Sequence, residues 1–161
     1  MQPARGQPPS HHDHLATGPA VEDHGRAVTA SLRAATWYRQ AQRAIDRRRA
    51  TTALRLAVEA DPAFELALAD LDAMTGTSGQ RHSRGQMNWE RHHIEIVRTA
   101  ASGNGKRAAN LLREHLAGVG CDPLAFRIVA QVRQSAGMDD AFEDLAGQLP
   151  DCHPARWPGS P

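Results

Sequence analysis

At 161 residues, 40% hydrophobic and 23% charged, the chain has room for one domain of about a hundred to a hundred and twenty ordered residues plus tails. A net charge of +1 excludes a protein whose main task is to coat phosphate, since that kind of binding rests on many uncompensated basic contacts. No apolar run approaches the roughly 20 residues needed to cross a bilayer and no basic-then-apolar leader opens the chain, so a soluble cytoplasmic protein is expected, with neither nucleic acid nor membrane as partner.

Ala and Leu dominate the apolar set, and aromatics are limited to three Trp, three Phe and one Tyr. That balance favours close-packed helices over a sheet rich in β-branched and aromatic residues, and the expected class is all-α with about seven helices. The two cysteines, Cys121 and Cys152, make no disulfide framework and are expected as free thiols in a reducing cytosol.

In chain order, residues 1–26 hold prolines, glycines and His11, His12, His14 and His24 with nothing apolar in periodic register, and read as a disordered tail. The first helix is expected over 27–48, with Ala27, Ala30, Ala34, Tyr38, Ala41 and Ile45 on one face. A second, 50–60, presents Ala50, Leu54 and Ala57; a third, 62–75, presents Phe64, Ala67, Leu68 and Leu71. The stretch 75–87 is long for a helix–helix connection and reads as a mobile loop or a hinge between two halves.

Beyond it, Asn88 is the expected cap of a fourth helix with a wide apolar arc, Trp89, His93, Ile96 and Ala100 beside Ile94, Val97 and Ala101, which suits a helix packed on two sides. Asn104 caps the fifth, bearing Ala108, Leu112, His115 and Leu116; the sixth, 123–136, presents Phe126, Val129 and Val132; the seventh, 139–149, presents Ala141, Phe142, Leu145 and Leu149. Residues 150–161 are too rich in proline to continue a helix. The helical domain is thus expected at 27–149, as a first unit 27–74, the loop 75–87 and a second unit 88–149.

One phrase occurs twice: Asp61-Pro62 and Asp122-Pro123 each open a periodic stretch that closes on a glycine, Gly76 or Gly137. Asp suits the N-cap, Pro the first helical position and Gly the left-handed exit, so each phrase marks a helix.

Ala50, Leu54, Ala57 and Pro62 stand at the spacing of the small, bulky, small and proline positions of a tetratricopeptide repeat, and Ala34, Trp37, Tyr38 and Ala41 at the packed positions of its first helix. The chain therefore resembles that family, with Ala34 smaller and Tyr38 larger than the family favours. Trp-Glu-Arg-His-His-Ile-Glu-Ile-Val at 89–97, followed by Leu-Leu-Arg-Glu-His-Leu, is similar to bacterial relatives of tetratricopeptide repeat protein 38. The resemblance implies a short α-solenoid of stacked antiparallel helix hairpins, a non-catalytic scaffold whose concave groove binds a protein or peptide. The family's groove positions fall on Leu32, Ala35, Arg39, Gln42 and Arg43, and on Leu66, Ala69, Asp70 and Ala73. Arg39 and Arg43, one turn apart, suit an acidic peptide.

Glu90, His92, His93 and Glu95 form the cluster most suggestive of chemistry, and a small metal-dependent enzyme or metal-binding protein using His92 and His93 is the alternative reading. The cluster lacks the zincin spacing, with two histidines four apart on one face and a glutamate between. His93 is expected to pack beside Trp89 and Ile96 with one ring nitrogen bonded, and Arg91 to pair with Glu95 across one turn. The flexible His11–His14 tract makes at most a loose, unselective site. There is no nucleophile elbow and no phosphate loop, and Gly103-Asn-Gly-Lys106 reads as a tight turn between helices. No catalytic residue, metal ligand or cofactor is assigned.

Overall fold

The computed structural model describes residues 20–77 and 87–135. They form six helices: α1 Leu32–Arg43, α2 Arg47–Ala60, α3 Glu65–Thr75, α4 Asn88–Ala101, α5 Gly105–Val119 and α6 Pro123–Ser135. Among the described residues there is no strand, and one isolated antiparallel bridge joins Val21 to Ala27. The expected all-α class holds. The expected seventh helix, 139–149, lies outside the described residues, as do most of the loop 75–87 and the tail 150–161.

Helix boundaries follow side chains that satisfy the orphan N–H groups of a first turn. Ser31 accepts from the Ala34 N–H, Asp46 from Arg49 and Asn104 from Arg107. Asp46 divides what periodicity alone joins: the expected helix 27–48 is in fact α1 plus the first residues of α2. Ile45, placed by periodicity on the buried face, falls in that break and is 56% exposed.

The two Asp-Pro phrases differ in outcome. Asp122 caps α6 as expected, its Oδ1 accepting from the Ala125 N–H at 3.2 Å. Asp61 instead ends α2 and opens a turn, accepting from Ala63 N and, at 2.7 Å, from Ser31 N, so α3 begins at Glu65 rather than Pro62. Gly76 closes α3 in the left-handed region at φ 73°, the conformation that favours glycine there. The cap of α4 also moves: Glu90 reaches back to the Met87 N–H at 3.0 Å, so the cap position is Met87, not Asn88.

The core is Ala-rich and closes around Tyr38, Phe64, Phe126, Leu54, Ile94, Ile96 and Leu112. Helix α4 packs against α3, α5 and α6, as its wide apolar arc requires. Helix α6 packs on α3, α4 and α5 and also touches α1, where buried Arg127 donates from one Nη atom to the carbonyls of Gln42 and Ala44 at 3.1 and 3.0 Å. In an open repeat stack each unit meets only its neighbours. Here the last described helix closes on the first.

The tail boundary expected at 26/27 is corrected: Ala20, Glu22 and Val28 are buried and residues 20–31 pack over the helices. Glu22 is the anchor, accepting from the backbone of His24 and Arg26 and from the Arg26 and Gln42 side chains. Burial pushes its carboxyl up, but the bonds from Arg26 and Gln42 outweigh burial and hold it below its ordinary value. Residues 1–19 lie outside the description. Cys121, expected as a free thiol, is disulfide-bonded, a state that persists in oxidising compartments.

Candidate functional site

Five polar side chains meet in the interior of this apolar bundle. Tyr38 from α1 donates its hydroxyl to Asp70 Oδ2 at 2.8 Å. Asp70, from α3, takes His93 Nε2 on its other oxygen at 2.6 Å. His93 sits on α4, and its Nδ1 meets Asp122 Oδ2, at the start of α6, also at 2.6 Å. The same Asp122 oxygen accepts from His115 Nε2 of α5 at 2.9 Å. The side chains of Asp70 and His93 are 0% exposed and those of Asp122 and His115 1%, so five helices contribute to one solvent-free chain of hydrogen bonds.

Charge explains the geometry. Burial alone would lower His93, but the carboxylates of Asp122 and Asp70 outweigh it and raise the imidazole to about 10, so it is an imidazolium donating from both nitrogens. Burial pushes Asp122 up, yet the His93 cation and the His115 hydrogen bond hold it far below the usual carboxylate range. For Asp70 burial prevails over His93 and, with repulsion from Asp122, keeps the carboxyl above its ordinary value. Burial and the negative charges of Asp70 and Asp122 hold the Tyr38 hydroxyl well above 10 and keep it a donor. His115 Nδ1 is buried without a hydrogen-bond partner.

Another buried carboxylate, Glu90, ties the N-terminal segment to α4: it accepts from Thr29 N at 2.7 Å, Thr29 Oγ1 at 2.9 Å and Met87 N. The Glu90, His92, His93 and Glu95 cluster expected from the sequence is therefore dispersed. Glu90 serves as a staple, His92 is exposed, and Glu95 lies 3.8 Å from Arg107 rather than against Arg91, which bonds Asn88. His93 has both ring nitrogens bonded, not one. Trp89, expected beside it, donates its indole N–H to the Ala27 carbonyl at 3.0 Å, with the Arg26 guanidinium 4.4 Å over its ring.

The groove set divides as well. Ala35, Gln42, Leu66, Ala69 and Asp70 are buried and offer no surface to a partner, because the segment 20–31 and the second unit cover them. Asp70 belongs to the polar chain and Gln42 bonds Asp23 N and Glu22. Leu32 and Arg43 are exposed, while Arg39 and Ala73 are half-buried. Arg43 pairs with Asp23, which raises its guanidinium further. Ala73 instead lines a cleft of about 320 Å³ with Ala100, Gly103, Ile128 and Val132, to which none of the histidine network contributes.

Comparison with protein-family models, with curated proteins and with solved structures finds no match to this chain.

Proposed function

We propose that this protein is a non-catalytic helical scaffold that binds a protein or peptide partner, with the basic edge of α1 as its recognition surface. One observation carries the reading. An acidic turn of the chain's own N-terminal segment already lies on that edge: Asp23 takes Arg43, and Glu22 takes Gln42. A helix face that already holds carboxylates has the chemistry expected for an acidic peptide. The residues best equipped for acid–base work, His93, Asp70, Asp122 and Tyr38, are spent on one another in the interior, which favours a structural role for them. The repeat-family relationship rests on the sequence spacing at 34–62 and is part of the same proposal.

Capture of partners from native cell extract on the immobilised chain tests this. Changing Arg39 and Arg43 together to Ala should weaken capture at least tenfold, whereas changing the exposed Arg33 and Arg55 should not. Arg47 is unsuitable as a control because it donates to the Met74 carbonyl. Equal losses from both pairs, or no loss from either with helical circular dichroism intact, would remove α1 as the surface. The cytoplasmic placement expected from the sequence is not part of this proposal, because the disulfide at Cys121 suits an oxidising compartment.

A further inference from the structure

We infer that His93 Nδ1, His115 Nε2 and Asp122 Oδ2 form a site for one divalent transition-metal ion of the zinc class, supported from behind by Asp70 and Tyr38. These three atoms come from α4, α5 and the cap of α6 and all lie within 4.8 Å of one another, in wholly buried residues. Two imidazoles and a carboxylate are a donor set suited to zinc, with a fourth position left for water. Tetrahedral ligands about 2.0–2.1 Å from the ion stand roughly 3.3 Å apart. The 2.6 and 2.9 Å separations to Asp122 Oδ2 therefore need widen by under about 1 Å to admit it.

The surroundings match what a bound ion requires. A ligating histidine donates its other ring nitrogen to a carboxylate that is itself hydrogen-bonded, and His93 Nε2 meets Asp70 at 2.6 Å while Tyr38 holds the far oxygen of Asp70 at 2.8 Å. Asp122 is oriented independently, since its other oxygen caps α6. Binding a divalent ion replaces the hydrogen bonds that His93 Nδ1 and His115 Nε2 make to Asp122 Oδ2 by coordinate bonds, and any proton carried by these nitrogens is released to solvent. His115 exchanges its hydrogen bond from Nε2 to Asp122 for a coordinate bond. The site differs from the His92/His93 pairing expected from sequence, because His92 is exposed. It is independent of the scaffold reading.

The test uses the full chain with His11, His12 and His14 changed to Ala, so that the tail cannot chelate. Because the site is sealed, the protein is unfolded without reductant and refolded by dilution with Co2+ as probe. The expected result is one Co2+ per chain with the strong visible absorption of four-coordinate cobalt, unchanged by His92→Gln and abolished by His115→Gln. Asp70→Asn should retain the spectrum with affinity weaker by roughly 10–100-fold, the usual effect of losing an outer-shell partner. Refolded helical protein without the cobalt spectrum, or a spectrum that survives His115→Gln, would overturn the site. Should His115→Gln fail to fold, an Asp70→Asn affinity equal to that of the parent overturns it instead.

Discussion

His93 is the residue on which the interior depends, because it is the cation between two buried carboxylates. Removing one partner of a buried charge cluster typically costs about 3–5 kcal/mol, through the charges left unpaired. His93→Ala should therefore destabilise by that amount in urea unfolding, and a loss below about 1 kcal/mol would show that Asp70 and Asp122 do not both ionise against it. Tyr38→Phe is milder: it deletes one donor to Asp70 and should cost about 1–3 kcal/mol. The network also sets a pH dependence, measured with a chelator present. His93 is raised from 6.5 to about 10, so its contribution is complete below 6.5 and is lost as pH climbs through 10. Asp70, held above its ordinary value, adds a loss of the same sign that begins lower; Asp122, held below 3.8, contributes above that value and fails as pH falls beneath it. Urea midpoints should thus decline between pH 6.5 and 10, and a flat profile would show that His93 is neutral in the fold.

At the scale of the helix, Leu54 of α2 and Leu112 of α5 are each 0% exposed, on the buried faces that periodicity assigns them. Either one changed to Ala should cost about 2–5 kcal/mol from lost transfer energy and the cavity left behind, read from denaturant midpoints; a loss below 1 kcal/mol at both would mean the core closes over the gap. The helices were largely legible in the sequence because their signals are local: apolar periodicity, the cap Asn104 with its bond to Arg107, and Gly76 at the exit. Boundaries slipped where a side chain took a distant partner, as Asp61 did with Ser31. The interior network was illegible for a related reason. Its links span 32, 23 and 29 residues of sequence, and spacing along one helix does not reveal them. A signal was nonetheless present: Asp70, His93 and His115 each sit on the apolar face of a different helix, and buried ionisable groups require partners.

For the molecule as a whole, the polar chain crosses from α1 and α3 to α4, α5 and α6, and Glu90 joins α4 to Thr29 from the other side. Halves connected in this way unfold together. Thermal melts followed by circular dichroism and by tryptophan fluorescence should coincide in one transition, whereas two separated transitions would restore the hinge expected at 75–87. Arg127 carries a further consequence. Burial lowers its guanidinium from its usual value, yet it reaches the last carbonyls of α1 from the final described helix, where cationic hydrogen-bond donors suit a helix C-terminus. Linear helical arrays change length freely, since a duplicated pair merely slots between its neighbours. A ring-like closure fixes the number of members: an extra hairpin inserted between α2 and α4 would carry Arg127 away from Gln42 and Ala44. Insertion of a helix pair within the span from α1 to α6 would thus cost the bonds of Arg127 to Gln42 and Ala44.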